Sequence, residues 1–136
     1  MSSRRLVAAE AAAQIAERLA RHNVEAVCGP LVEGAFVALM VARVLAVPFT
    51  YAERFEATES AGLYPVQYRI PLGLHKYLRG KRVAIVNDVI NAGSAVGATF
   101  ADLERRGALP IAIGSLAILG SWTARFAEEK RLAMEG

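Results

Sequence analysis

Hydrophobic and polar positions follow two patterns along the chain, short apolar runs and longer segments with helical spacing. The short runs have few polar interruptions, which is typical of strands buried on both faces of a parallel sheet. They predict strands at about 24–28, 47–52, 82–87 and 110–118. The longer segments predict helices at about 5–21, 32–46 and 94–106. Alternating strands and helices indicate an α/β fold, a Rossmann-like parallel sheet flanked by helices.

The remaining segments carry weaker patterns. Residues 53–65 are polar or flexible, which predicts a surface loop of the kind that often carries function. Residues 66–70 alternate apolar and polar side chains and indicate an edge strand, and a short helix is expected at 71–79. Ser121 is expected to cap a last helix.

The composition limits the classes of protein. The chain has 136 residues, of which 54% are hydrophobic, so we expect one domain over residues 1–136 with an ample core. No apolar run is long enough to cross a membrane, and the first helix carries too many polar residues for a signal peptide. Cys28 is the single cysteine, so no internal disulfide is possible, and we predict a cytoplasmic protein with Cys28 buried in a strand.

The net charge and the spacing of possible metal ligands indicate which classes of binding partner to expect. The net charge is +3, and no run of basic residues is longer than a pair, so we expect no nucleic-acid partner and no membrane partner. A small polyanion is the expected negatively charged partner. The two histidines and the cysteine lie too far apart in sequence to predict a metal site.

The most informative stretch runs from Val83 to Ala95. An apolar strand breaks at Asn87-Asp88, a short turn contains Gly93, and Ser94 is a good N-cap for the helix that follows. Such a turn directs backbone N–H groups and the positive end of a helix dipole at one point. The stretch therefore predicts a site for an anion such as a phosphate.

This stretch resembles the motif that binds phosphoribosyl pyrophosphate (PRPP) in type I phosphoribosyltransferases, most closely the orotate branch. The resemblance implies that Asp88 hydrogen-bonds the ribose hydroxyls of PRPP and takes part in catalysis. Asn87 stands where the family usually has a second carboxylate. The 5′-phosphate would be held by the turn residues, which are Asn91, Ala92, Gly93, Ser94 and Ala95. A structural alternative is that Asp88 only caps an ordinary turn between strand and helix.

Two further segments match the family. The residues after the first strand resemble its pyrophosphate loop and comprise Pro30, Leu31, Val32, Glu33 and Gly34. Glu33 occupies the place of a family glycine and also fits a favourable first-turn acid of the next helix. Arg54 keeps a positive charge where the orotate enzymes begin a mobile catalytic loop, whereas Glu53 reverses the charge before it. Arg54 is either a catalytic residue or an ordinary surface residue.

The resemblance implies a phosphoribosyltransferase that joins a nitrogenous base to PRPP and releases pyrophosphate. It also implies Mg²⁺ bound with PRPP and a homodimer. Only one helix precedes the core, so the hood over the base would be reduced. Trp122 and Phe126 either pack the last helix on the sheet or form a stacking wall for a base. The alternative function is a regulatory module of the same fold that binds PRPP or a nucleotide with reduced catalysis.

Overall fold

The fold is a six-stranded sheet with helices on both faces. The computed structural model describes residues 3–32, 34–56, 66–91, 94–119, 128, 130 and 132–135. The helices are α1 (Ser3–Ala20), α2 (Ala35–Leu45) and α3 (Ser94–Arg105), with a 3-10 helix at Leu72–Tyr77. The strands are β1 (Ala26–Pro30), β2 (Phe49–Glu56), β3 (Val66–Arg69), β4 (Arg82–Asn91), β5 (Leu109–Leu119) and β6 (Ala133–Glu135). None of the described helices is both long enough and apolar enough to cross a membrane.

The strand order decides where a ligand can bind. The order is β3-β2-β1-β4-β5-β6, and every neighbouring pair is parallel except β2 with β3. The chain builds outward from β1 to β2 on one side and from β4 to β5 on the other. Strand order therefore reverses between β1 and β4, which is where open α/β sheets form a crevice for ligands. The predicted α/β class, the parallel sheet and the edge strand near 66–70 are confirmed.

Side chains of β4 divide the core between the two faces of the sheet. Val83 and Ile85 point to the face covered by α3, whereas Ala84 and Val86 point to the face covered by α1 and α2. This alternation is the period of a strand, and all four residues are apolar because both faces are covered. The uninterrupted apolar run is therefore explained by two layers of helices.

The helix α1 lies close against β5 because that strand carries a glycine at the contact. A Cβ on Gly114 would lie 2.8 Å from Ile15 Cγ2 and 3.2 Å from Leu19 Cδ1. Both of these helix residues are buried, which confirms the predicted apolar stripe. The α2 segment is apolar nearly all round, but only part of it is buried, against the sheet and α1. The exposed large hydrophobic residues on α2 are Phe36, Leu39 and Val44.

Several boundaries differ from the predictions because strand pairing continues past polar residues. β1 includes Pro30, β2 continues to Glu56, and β4 continues to Asn91. The short strand β6 was not predicted, since three residues carry too little pattern. In the last helix, expected after Ser121, the described residues Glu128 and Lys130 are helical, whereas Ser121, Trp122 and Phe126 lie outside the described residues.

Candidate functional site at the carboxyl ends of the strands

Two polar or irregular segments meet where strand order reverses. β1 and β4 are neighbours, with Cys28 opposite Ile85, so Pro30 and Asn87 end up at the same edge of the sheet. Pro30 is the last residue of β1, and Asn87 lies where the apolar run of β4 ends. The crevice at this edge is the position where parallel α/β sheets bind ligands.

The segment after β1 forms a tight turn that is fixed by backbone hydrogen bonds. The Leu31 N–H donates to Ala52 O at 2.8 Å, and the Gly34 N–H donates to Pro30 O at 3.0 Å. The Leu31–Val32 peptide bond is cis. Val32 is 84% exposed, so the turn projects its middle residue outward. Glu33 lies outside the described residues.

Glycine at position 34 allows this turn to touch β4. A Cβ on Gly34 would lie 2.7 Å from Asn87 Oδ1, 3.0 Å from Pro30 O and 3.1 Å from Val86 O, which is too close for any side chain. A Cβ on Gly29 would likewise lie 2.6 Å from Ala38 Cβ. The turn is therefore packed directly against the carboxyl end of β4, and the predicted pyrophosphate loop and PRPP motif come together.

The predicted break at Asn87-Asp88 is wrong. β4 continues through Asp88 to Asn91, and it pairs in register with β5 as far as Asn91 opposite Leu119. The polar residues remain in the strand because the pairing with β5 keeps one register on both sides of Asp88, from Asn87 opposite Ser115 to Val89 opposite Ala117. The connection to α3 therefore comprises only Ala92 and Gly93, which lie outside the described residues.

The helix α3 begins at Ser94, with Ala95 in its first turn. The predicted order of strand, short connection and helix N-terminus is confirmed, although the connection is shorter than expected. A helix at this position presents unpaired backbone N–H groups and a positive dipole end toward the crevice edge.

One polar residue beside the crevice was missed in the sequence. Ser115 on β5 lies opposite Asn87 on β4, and both residues are buried. Each of them makes an interaction within the protein. The signal was a serine inside an otherwise apolar strand, which indicates a polar neighbour on the next strand.

The predicted loop at 53–65 begins as a strand. Glu53–Glu56 belong to β2 and pair with β3, which places Arg54 opposite Tyr68 and Glu53 opposite Arg69. Arg54 is exposed, and it makes no hydrogen bond or ion pair with another described residue. The guanidinium carbon of Arg69 lies 4.7 Å from the centre of the Phe55 ring, a cation–π contact. The hairpin thus carries two arginines at the edge of the sheet.

The cysteine in β1 is not reactive in this setting. Cys28 is fully buried between β2 and β4. Burial raises the pKa of its thiol to about 12, so the nucleophilic thiolate is not populated near neutral pH. The prediction of a buried strand cysteine is confirmed.

The described side chains include few possible metal ligands close to one another. Within the described ranges, no three His, Cys, Asp or Glu side chains come together in a metal-binding cluster. Among the described side chains at the crevice, Asn87 Oδ1 is an oxygen donor of the kind that Mg²⁺ prefers.

The chain also matches a known protein family in sequence. Residues 4–130 match the family model described as the phosphoribosyl transferase domain. No protein with a curated description matches the chain significantly in sequence.

Solved structures share the fold at low sequence identity. Adenine phosphoribosyltransferase from Trypanosoma brucei, in complex with AMP, pyrophosphate and ribose-5-phosphate, has a TM-score of 0.76 at 15% identity, and the match covers 95% of this chain and 62% of that one. The adenine enzyme from Rhodothermus marinus has a TM-score of 0.74 at 19% identity, with 92% and 74% covered. Orotate phosphoribosyltransferase from Aeropyrum pernix has a TM-score of 0.68 at 22% identity, with 94% and 67% covered. The chain thus spans less than two thirds of the T. brucei protein.

Proposed function

The chain belongs to the phosphoribosyl transferase domain family, and we propose that it transfers the phosphoribosyl group of PRPP to a nitrogenous base and releases pyrophosphate. The observation that carries this proposal is the contact between the Gly34 turn and Asn87 at the reversal of strand order. A site there has a backbone turn, a polar strand end and a helix N-terminus on one edge.

The turn after β1 is proposed to hold the pyrophosphate. Its members are Pro30, Leu31, Val32, Glu33 and Gly34. Backbone N–H groups suit this role, because they donate to phosphate oxygens and cost no reorganisation when charge develops on the leaving group. Pro30 has no N–H, and those of Leu31 and Gly34 donate within the fold, so the N–H groups of Val32 and Glu33 are proposed as the donors. The hydrogen bonds from Leu31 N–H to Ala52 O and from Gly34 N–H to Pro30 O fix the turn before any ligand arrives.

The end of β4 is proposed to bind the ribose. A carboxylate at Asp88 accepts hydrogen bonds from two hydroxyls and stabilises the positive charge that builds up on the sugar as the bond to pyrophosphate breaks. The amide oxygen of Asn87 accepts a hydrogen bond but carries no charge. Asp88 is therefore proposed as the catalytic carboxylate, with Asn87 as a binding group.

The start of α3 is proposed to hold the 5′-phosphate. Backbone N–H groups at a helix N-terminus bind anions, and the Ser94 hydroxyl is proposed to add one more donor. The residues involved are Asn91, Ala92, Gly93, Ser94 and Ala95. Gly93 allows the backbone to approach the phosphate closely.

Arg54 is proposed to neutralise charge on the departing pyrophosphate. Its side chain is exposed on the β2–β3 hairpin and is not committed to any described carboxylate, so it is available to a ligand. The proposal requires the hairpin to approach the Gly34 turn, and β1 and β2 are neighbouring strands with Pro30 opposite Ala52.

Mg²⁺ is proposed to enter with PRPP. The ion would be held mainly by pyrophosphate and ribose oxygens, with Asp88 nearby, and it would offset negative charge on the leaving group. This arrangement needs no preformed cluster of protein ligands.

The proposed base is a nitrogenous base as a class and not one named compound. The structural neighbours include enzymes named for adenine and for orotate, so purines and pyrimidines both belong in the test.

The family resemblance also supports a homodimer, and the exposed Phe36, Leu39 and Val44 on α2 provide apolar area for it. Sedimentation velocity is expected to give twice the 14.6 kDa chain mass; a monomer at micromolar concentration would contradict the dimer.

A second candidate is a regulatory module that binds PRPP or a nucleotide without turnover. Glu33 and Glu53 place negative charge where the proposed pyrophosphate site needs positive charge, and Asn87 replaces a carboxylate. Release of pyrophosphate from PRPP and Mg²⁺ separates the two candidates when it is measured with adenine, guanine, hypoxanthine, uracil and orotate.

The enzyme is expected to release pyrophosphate with at least one base of this panel. The Arg54→Ala variant should lower kcat by roughly 10- to 100-fold, the scale of one electrostatic contact in the transition state. Arg43→Ala, which removes an exposed arginine from α2, serves as the matched control and should match the wild type. Tight PRPP binding with no release for any base would favour the regulatory module.

A further inference from the structure

The amino-terminal edge of the sheet, opposite the candidate site, carries a concentrated positive charge. Residues 76–82 and 102–106 contain six basic and two acidic residues, whereas the whole chain has a net charge of only +3. We define the basic platform by five members of this group, which are Lys76, Arg79, Lys81, Arg105 and Arg106. None of them belongs to the proposed PRPP site.

Two turns build the platform, and the fold joins them by backbone hydrogen bonds. The Gly80 N–H donates to Gly107 O at 2.8 Å, and the Leu109 N–H donates to Lys81 O at 2.8 Å. Gly80 and Gly107 have φ values of 72° and 79°, the left-handed region that favours glycine. Lys81 and Arg105 are 24 residues apart in sequence, so only the folded chain brings these two parts of the platform together.

Most of this charge is available to a partner. Lys76, Arg79 and Lys81 are exposed, and none of the three forms an ion pair with a described carboxylate. Arg105 and Arg106 both contact Asp102 Oδ1, at 3.0 and 3.3 Å. Two guanidinium groups thus share one carboxylate, and Glu104 brings the formal charge of residues 102–106 to zero, so the excess positive charge of the platform comes from residues 76–82.

The surface has the character of a phosphate-binding surface rather than a protein interface. The exposed large apolar residues on or beside it are Leu72, Tyr77 and Leu109, 82%, 42% and 53% exposed, and three side chains are too little apolar area for the core of a stable protein interface. Arginine and lysine side chains at the end of fixed turns suit successive phosphates of a flexible strand.

We propose that the basic platform binds the phosphodiester backbone of single-stranded nucleic acid without base specificity. The expectation of no nucleic-acid partner depended on the absence of any basic run longer than a pair, and the fold gathers separate pairs on one surface. The proposal is independent of the phosphoribosyltransferase activity, because the two surfaces lie at opposite ends of the strands.

The test is fluorescence anisotropy with a labelled 20-nucleotide oligouridylate. At 50 mM salt we expect a Kd of roughly 10–100 μM, the range of non-specific binding. With three to four phosphates contacted, the affinity should fall roughly 20- to 50-fold between 50 and 200 mM salt. Absence of binding at 50 mM salt would overturn the proposal.

Charge-reversal variants test whether the basic platform is the surface that binds the oligonucleotide. The Arg79→Glu/Lys81→Glu variant should bind at least about 10-fold more weakly, since two phosphate contacts become repulsive. The control Arg18→Glu/Arg43→Glu makes the same change in net charge on the exposed sides of α1 and α2, and should change the Kd by less than about twofold. Equal weakening in both variants would mean that net charge alone matters and would overturn the assignment. Circular dichroism melting checks that both variants remain folded.

Competition separates the possible partners. An oligodeoxythymidylate of the same length should bind within about threefold, because the phosphates rather than the sugars are contacted. A preference for one sugar above tenfold would contradict a backbone contact. Poly-glutamate that displaces the RNA as well as unlabelled RNA does would assign the platform to an acidic protein and overturn the proposal.

Discussion

The two ends of the sheet use polar groups in different ways. At the amino-terminal end, polar groups bind one another: the Glu25 N–H donates to Arg82 O, and the Arg82 guanidinium donates to the carbonyl oxygens of His22 and Asn23. At the carboxyl-terminal end, the Gly34 turn packs directly against Asn87, where the apolar run of β4 ends. These bonds close the fold beside the basic platform at one end, whereas the other end carries the proposed PRPP site.

This difference predicts how substitutions separate stability from binding. Variants that break hydrogen bonds toward the amino-terminal end should lower the free energy of unfolding and leave PRPP affinity unchanged in the folded protein. Variants at the carboxyl-terminal end should reduce PRPP affinity by more than their effect on stability explains. Asp102, Gly34 and Glu135 test the separation, in decreasing order of the expected effect on stability.

The largest effect is expected from Asp102→Ala. Asp102 is 1% exposed, its Oδ2 accepts the Ile70 N–H at 2.8 Å, and its Oδ1 accepts from Arg105 and Arg106. Removing this carboxylate should lower the free energy of unfolding by about 2–4 kcal/mol, mainly because the buried Ile70 N–H loses its acceptor, while Arg105 and Arg106 can reach solvent. Urea unfolding measures it. Glu104→Ala, an exposed acid on the same helix, should change stability by less than about 0.5 kcal/mol. A loss below about 1 kcal/mol in Asp102→Ala would contradict its role as an anchor.

A smaller effect on stability and a larger one on binding are expected from Gly34→Ala. The new methyl group would lie 2.7 Å from Asn87 Oδ1 and 3.0 Å from Pro30 O, so the turn must shift. We expect a loss of about 1–3 kcal/mol in stability and at least about a tenfold loss of PRPP affinity. Gly73→Ala is the matched control, because a Cβ there meets no atom within 4 Å. Normal PRPP affinity in Gly34→Ala would separate the turn from the site.

The smallest effect concerns acid stability at Glu135. Hydrogen bonds from His22 and Arg21 hold the pKa of the Glu135 carboxyl below its ordinary value of 4.5. The folded protein therefore binds a proton at Glu135 less readily than the unfolded chain. The resulting stability is fully present above about pH 4.5 and is lost as the pH falls through the lower folded pKa.

Unfolding measured from pH 6 to pH 3 tests this linkage. The wild type should lose more stability on acidification than Glu135→Gln, by less than about 1 kcal/mol because the Arg21 side chain is 66% exposed. Parallel curves for the two proteins would show that the pair contributes nothing to acid sensitivity. PRPP affinity of Glu135→Gln should equal that of the wild type at pH 7.

Local patterns predicted much of the sheet. The apolar run at 83–86 is a strand because both of its faces are covered, and Ile15 and Leu19 are one face of a helix. The predicted end of β4 was wrong. Polar residues at 87 and 88 usually mark a turn, but pairing with β5 keeps them in the strand. β6 was missed, since only its neighbour β5 makes those three residues a strand.

Long-range contacts limited the prediction of the site. Motif residues could be named in order, but the contact of Gly34 with Asn87 depends on strand order, which no local pattern contains. The link from Glu135 to His22 spans 113 residues, and the link from Asp102 to Ile70 spans 32. Arg54 was predicted at the start of a loop and lies in a strand, because β3 returns beside it.

Calorimetric titration with PRPP and Mg²⁺, in the absence of a base, tests the central claim that the carboxyl end of β4 binds the sugar phosphate. The wild type should bind, and Asp88→Asn should lose roughly 10- to 100-fold in affinity, the scale of one or two charge-assisted hydrogen bonds. Glu104→Gln removes a carboxylate from an exposed position on α3 and should bind as the wild type does. No binding by the wild type, or equal affinity in Asp88→Asn, would contradict a ribose site at this end of the sheet.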